Sequence, residues 1–209
     1  HEDLPELAAE DLAAALADFW SFAEVRKGKA PAIRLVAGPG GLDRLEIVQP
    51  DAPFLVDSVM GEIAEQGLSV RAMFHPIVDL RRDRKGVRAA EGAPCRESMI
   101  QVLLDHVGGD REAALIRGVK AALADVRAAV DDFPAMLALM GRTSAELAAR
   151  PVGKAEMAEA HEQVAFLDWL RDEHFVYLGA RVYEYPRLAN GDYAPEEPLF
   201  QPEDGLGVL

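Results

Sequence analysis

The stretch Pro50-Asp51-Ala52-Pro53-Phe54-Leu55-Val56-Asp57-Ser58-Val59, with Gly67 beyond it and Leu68 to Leu80 after that, governs how the rest of the chain is read. Phe54, Leu55, Val59 and Ile63 fall on one helical stripe. Proline in a first turn costs little, because its missing N–H would lack a helical partner anyway, and Gly67 suits a C-terminal cap. These two punctuation marks predict a helix of about 13 residues. Beyond it, Leu68, Val70, Ala72, Phe74, Pro76, Val78 and Leu80 alternate with Ser69, Arg71, Met73, His75, Ile77, Asp79 and Arg81. A period of two predicts one long strand with a buried face. Pro76 lacks a backbone donor, so that strand is expected to be an edge or to be bulged there.

Upstream, Ile33 to Ala37 and Leu45 to Gln49 flank Gly38-Pro39-Gly40-Gly41, which reads as strand, turn, strand. The glycines do not complete a dinucleotide fingerprint: Asp43 stands where the third glycine of G-x-G-x-x-G belongs, and a strand follows in place of a helix. Downstream, Ile100, Val102 and Leu104 alternate as another strand. Asp110 to Asp131 is helical, with Leu115, Val119, Ala122, Val126 and Val130 on one stripe. Strand, strand, helix, long strand, strand, helix predicts an α+β fold, an antiparallel ferredoxin-like sheet with helices on one face.

The 209 residues carry 36 acids against 22 bases, a net charge of −14. Half of the residues are hydrophobic, enough to bury a core, and no apolar run approaches the roughly 18–20 residues of a membrane span. The acidity disfavours nucleic-acid backbones as partners. Its placement is uneven: residues 1–24 sum to −7, residues 25–150 to +1 and residues 151–209 to −8. Cys95 is the only cysteine, which excludes an internal disulfide and fits a reducing cytoplasm. The start at His1, with neither basic residues nor an apolar h-region, reads as part of a longer protein without a signal peptide.

Leu4, Leu7, Ala8, Leu12, Ala15, Leu16, Phe19 and Phe22 predict a leading amphipathic helix ending before Gly28 and Pro31. Its acidic side is expected to face solvent, with a basic partner as the alternative. Arg81, Arg82, Arg84, Lys85 and Arg88 crowd five bases into eight residues around Gly86. They are candidates for an anion or subunit contact, set against a charged hairpin loop that discourages aggregation. His1, His75, His106, His161 and His174 lack the short spacing that places two imidazoles on one metal ion. Cys95, read as lying in the loop between strands, has no neighbouring His or Lys to activate it. Pro134 is expected to open a new helix, and Pro151 and Gly153 separate it from another bearing Met157, Val164, Phe166, Leu167 and Leu170. Phe175 to Leu178 and Val182 to Tyr185 read as a new strand, with a turn at Asn190-Gly191.

Asp51-Ala52-Pro53-Phe54-Leu55-Val56-Asp57 followed by Glu65-Gln66-Gly67-Leu68-Ser69-Val70 resembles the strand-to-helix signature of ACT regulatory domains. With Phe74-His75-Pro76-Ile77, Arg81-Arg82-Asp83, Glu97-Ser98-Met99 and Trp169-Leu170-Arg171-Asp172-Glu173-His174-Phe175-Val176-Tyr177-Leu178-Gly179, the chain resembles the N-terminal region of the large bacterial NAD-specific glutamate dehydrogenases. The resemblance implies a parent enzyme that oxidatively deaminates L-glutamate to 2-oxoglutarate and ammonia with NAD. It also implies a leading helix over 1–29, an ACT-like domain over 30–132, a helical connector over 133–172 and the start of a second ACT-like domain over 173–209. In that family the dehydrogenase core lies far downstream. Lys27, Lys29, Lys85, Lys120 and Lys154 lack the glycine-rich setting of its catalytic lysine, so no catalytic, cofactor or metal site is expected here. The expected role is regulation and self-association alongside the parent's downstream domains. The alternative is an amino-acid sensor, with the effector at the turn formed by Asp51, Ala52, Pro53 and Phe54. Exposed N–H groups at a helix start attract a carboxylate, and Asp51 could hold an ammonium. Amino-acid-binding ACT domains usually carry glycine after the proline; here Phe54 would fill that space or turn into the core.

Overall fold

A computed structural model describes residues 8–151, 153, 157–194, 199 and 205–209. The chain divides into two compact units, His1–Ala124 and Asp125–Leu209. In the first, α1 (Ala9–Phe22) precedes β1 (Ala32–Ala37), a short 3-10 turn (Pro39–Gly41) and β2 (Asp43–Pro50). Then come α2 (Leu55–Glu65), β3 (Val70–Phe74), β4 (Ile77–Arg82), β5 (Ala93–Leu104) and the beginning of α3 (Asp110–Ala149).

Every strand pairing in this sheet is antiparallel. β5 pairs along one side with β2, and along the other with β3 and β4 laid end to end, so the order is β1, β2, β5, then β3 and β4. A ferredoxin-like chain fills its remaining place with a strand that follows the second helix. Here β1 takes that place from the N-terminal side, and the chain leaves the sheet through α3 instead of returning to it.

The central register sets Leu45 opposite Val102 and Ile47 opposite Ile100, all fully buried. Side chains of one strand alternate between faces. Leu45, Ile47, Ile100, Val102 and Leu104 therefore share the face covered by α2 through Leu55, Val59 and Ile63 and by α3 through Leu115 and Val119, all of them buried. Each such side chain contributes about 1.5–3 kcal/mol on burial. The opposite face is covered as well. There Val48 and Met99 pack with Phe19 and Ala23, and Phe22, Ala32 and Val78 join them. The expected layer of two helices is thus complemented by α1 on the other side of the sheet. Leu16, placed on the buried stripe by its spacing, is half exposed, and Leu4 and Leu7 lie outside the described residues.

The single long strand expected over Leu68–Leu80 is broken at His75-Pro76 into β3 and β4, with a register shift between Val70 and Ala72. The Pro76 carbonyl accepts from Met99 N–H at 3.0 Å, so its nitrogen also points inward toward β5, where the missing donor costs one ladder bond. Cys95 lies within β5 and not in a loop. Pro134 does not open a helix: α3 runs through it. Interior proline costs about 3 kcal/mol, so packing nearby must outweigh it. Met136 is buried, and Phe133 stacks on Tyr177, with ring centroids 6.1 Å apart.

In the second unit, α4 (Met157–Trp169) ends in one wide turn (Leu170–His174). Only Gly179–Ala180 of the strand expected around Phe175–Tyr185 forms as β6, paired with β7 (Leu206–Gly207). The turn at Asn190-Gly191 is present, closed by Gly191 N–H on Leu188 O at 3.0 Å.

Candidate functional site

The even-numbered residues of β2 and the odd-numbered residues of β5 face α1, and two of them are carboxylates with no exposed surface. Glu97 accepts from Arg26 at 2.7–2.8 Å and, through both oxygens, from Arg82 at 2.7 Å. Arg82 spends its other donors on the carbonyls of Ala23, Glu24 and Gly86, the first two just beyond the end of α1. Glu46 accepts from Arg34 at 2.6 Å and Gln101 at 2.9 Å, with Arg44 at 3.4 Å. Asp18 reaches down from α1 to take both Arg34 and Arg44 at 2.7 Å. Glu24 pairs with Arg88, whose guanidinium lies 3.8 Å from the centre of the Trp20 ring.

Asp18 of α1 and Glu24 just beyond its end therefore face arginines of the same unit. Burial alone pushes the Glu97 carboxyl up, but hydrogen bonds from Arg82 and Arg26 and their charges outweigh it and hold the group below the ordinary carboxylate range. The hydrogen bond to Glu97 in turn raises Arg82. Burial, then the Glu97 charge, pushes the Cys95 thiol up, away from the reactive thiolate.

The five bases at residues 81–88 do not form one anion site. Arg82 is buried on Glu97 and Arg88 is held by Glu24 and Trp20, while Arg81 donates to Gly92 O at 3.0 Å. Arg84 and Lys85 stay exposed at the hairpin tip. The physical reason is register: the strand turns Arg82 to the α1 face, where a buried carboxylate waits.

At the other candidate, Asp51 N–H donates to Arg96 O at 3.0 Å and its carboxylate lies 3.2 Å from Arg96 Nε. Ala52 and Pro53 lead to Phe54, which adopts φ 67° and ψ 4°. The backbone thus has the left-handed shape that favours glycine, carried by a phenylalanine whose ring is 46% exposed and has not turned into the core. No side chain caps the start of α2. Just before the turn lies Gln49, almost wholly buried, whose Nε2 has no hydrogen-bond partner. Its cross-strand neighbour Ser98 bonds His75 Nε2 at 2.5 Å. The resemblance already places the candidate turn from Gln49 onward; what the sequence did not show is that the Gln49 amide is buried without a partner, although an amide on the apolar period Leu45, Ile47, Gln49 was a signal of it.

The glycines of residues 38–41 close a hairpin, with Gly38 N–H on Leu42 O at 2.7 Å, and connect two antiparallel strands. A pyrophosphate needs a glycine loop that opens a helix, so this turn does not fit NAD. Among the described residues no three His, Cys, Asp or Glu side chains gather to hold a metal ion. Among them too, no helix is long and apolar enough to cross a membrane.

The family described as "Glutamate dehydrogenase, ACT1 domain" matches residues 1–119, more than half of the chain. The chain belongs to the glutamate dehydrogenase ACT1 domain family. Its ACT1 sheet is the antiparallel α+β unit described above. Among its relatives, the NAD-specific glutamate dehydrogenase of Halomonas elongata is 29% identical over 199 residues, 88% of this chain and 12% of that protein. The NAD-specific glutamate dehydrogenase of Pseudomonas aeruginosa is 30% identical over 161 residues, 70% of this chain and 10% of that protein. That of Mycobacterium tuberculosis is 28% identical over 193 residues, 87% and 10% respectively. The chain therefore spans only about a tenth of the length of these relatives. The ionic layer beneath α1 falls inside the ACT1 match, as does the Asp51 turn.

Proposed function

We propose that this chain is a noncatalytic regulatory and assembly region of an NAD-dependent glutamate dehydrogenase. The parent would convert L-glutamate to 2-oxoglutarate and ammonia with NAD in the cytoplasm. Membership of the ACT1 family, with NAD-specific glutamate dehydrogenases among its relatives, supports the parent activity. The observation that carries the noncatalytic role is the commitment of Glu46, Glu97, Arg26, Arg44 and Arg82 to one another and to α1. Buried charges matched in this way fasten elements together, and none is left poised for proton transfer. The test is direct: the purified chain should produce no NADH from glutamate and NAD, and measurable turnover would overturn the reading. Light scattering across a concentration series should show self-association, and a monomer throughout would remove the assembly role.

A second reading, an amino-acid sensor at the Asp51 turn, is favoured by the glycine-like backbone at Phe54 and the unpartnered buried amide of Gln49. The effector would need unequal affinity for two conformations of the parent. Calorimetry with glutamate and aspartate decides it: saturable binding lost in Asp51→Ala supports a sensor, and absence of heat at millimolar ligand excludes these two effectors.

A further inference from the structure

The two faces of the ACT1 sheet are unequally covered. Four strand positions lie abreast, β1, β2, β5 and the β3–β4 pair, so at about 4.8 Å each the sheet is roughly 19 Å across. A helix with its side chains is about 10–12 Å wide, so each face has room for two. One face receives α2 and α3; among the described residues of this unit, α1 is the single helix on the other. It crosses obliquely, from Arg44 of β2, which donates to Ala15 O at 2.9 Å, to Arg82 of β4, which donates to Ala23 O at 2.9 Å. The strip left beside it holds Phe74, whose pairing with Gln101 turns it to this face and whose side chain is 42% exposed.

The helix has an uncovered side of its own. Ala15, Phe19 and Ala23 point into the sheet, while Ala9, Ala13, Leu16, Ala17 and Trp20 recur at i, i+4, i+7, i+8 and i+11 as a second apolar stripe. Leu16 is 52% and Trp20 45% exposed, and the three alanines are exposed. Glu10 and Ser21 border this stripe, and Asp18 is turned to the sheet arginines. A helix that is apolar on both sides belongs between two layers.

The geometry points to a second copy of this chain, docked face to face about a two-fold axis so that each α1 fills the vacant strip of the other's sheet. This rests on the assembly reading above and specifies its surface. The chain has one uncovered helix side and one uncovered strip of helix width, and a two-fold contact covers both, because each copy receives what it gives. A lone foreign helix would fill the strip and leave bare the side of α1 that faces away from its own sheet. Two helix-on-sheet contacts about 21 Å long and about 10 Å wide bury on the order of 1,200 Å² in total, the size of a specific dimer. The alanines allow close approach, and Leu16 and Trp20 supply the large side chains. Ala17 then lies over the strip that carries Phe74 of the partner subunit, and the contact is repeated by symmetry.

The test uses the 209-residue chain. By light scattering, Ala17→Glu and Phe74→Lys should each be monomeric at a concentration where the wild type is dimeric, with circular dichroism spectra unchanged. Mixed in equal amounts they should dimerise again. A mixed dimer gathers both substitutions, now of opposite charge, into one of its two contacts and leaves the other intact. Ala64→Arg, at an exposed position of α2, should stay dimeric. In a Trp169→Phe background, acrylamide quenching of Trp20 should weaken at least twofold as the dimer forms. Ala17 is exposed, so the Ala17→Glu result decides the matter even where Phe74→Lys does not fold. An Ala17→Glu chain that still dimerises, folded variants that stay monomeric when mixed, a monomeric Ala64→Arg chain, or a dimer whose Trp20 quenches like the monomer's would overturn this face while leaving assembly through another surface. A wild-type chain that stays monomeric would overturn both.

Discussion

Replacing Glu97 by glutamine keeps the shape of the side chain and removes the charge that two arginines share. Glu97 has no exposed surface and Arg26 and Arg82 are each 6% exposed, so water screens little of what is lost. Breaking a buried pair from one side costs about 3–5 kcal/mol. Arg82 would retain the carbonyls of Ala23, Glu24 and Gly86, which places Glu97→Gln near the lower end, about 3 kcal/mol. The chain has two tryptophans, Trp20 in α1 and Trp169 in the second unit. In a Trp169→Phe background, fluorescence during urea unfolding reports the first unit alone. With m about 2 kcal/mol per molar, the midpoint should fall by about 1.5 M. The pH dependence has a definite sign. A carboxyl held below its unfolded value of about 4.3 adds stability above that pH and loses it as the pH falls through the lower folded value. The gap between wild type and Glu97→Gln should accordingly hold from about pH 5 to 8 and narrow below about pH 4. A midpoint shift under about 0.3 M, or a gap that widens in acid, would refute the view that this layer fastens α1 to the sheet.

Gly86 has φ 81°, and an added Cβ would stand 2.3 Å from Arg26 O, so Gly86→Ala should cost upward of about 2 kcal/mol by the same urea assay. At Phe54, with φ 67°, glycine should be more stable than alanine by about 1 kcal/mol, and equal midpoints for Phe54→Gly and Phe54→Ala would contradict the left-handed backbone. Asp18 is half exposed yet shared by Arg34 and Arg44; Asp18→Asn should cost about 1 kcal/mol and speed hydrogen exchange in α1 without affecting β5 amides.

Much of the sheet was legible because its central strands are simple. Leu45, Ile47, Ile100 and Val102 keep a period of two, and β1, β2 and α2 stand within a residue or two of where the periodicity put them. What periodicity cannot tell is which water-facing positions remain wet. Arg44, Glu46, Glu97 and Gln101 alternate with apolar residues and read as a solvated face, but α1 closes over them. The clue was the pairing of opposite charges on adjacent strands, Arg34 with Glu46 and Arg82 with Glu97, which only the register reveals. Pro134 misled for the complementary reason: a local helix breaker was outvoted by packing on either side of it, where Met136 is buried and Phe133 stacks on Tyr177, far along the chain. At the turn, the sequence marked Asp51 to Phe54 but could not show that Phe54 takes a glycine-like backbone or that Gln49 is buried without a partner.

The fastening of α1 also has an order in time. The helix leaves the ribosome before its anchors do: Arg82 holds Ala23 across 59 residues, and Glu97 holds Arg26 across 71. Local helices form in about a microsecond, whereas contacts this distant in sequence wait for the strands that carry them. Until β5 has been made and zipped beside β2, the arginines that receive Asp18 have no fixed geometry, and Phe19 has no Met99 to cover. A helix made before its anchors is thus among the last parts of the unit to be secured, and it spends the interval as an acidic helix with an uncovered apolar stripe.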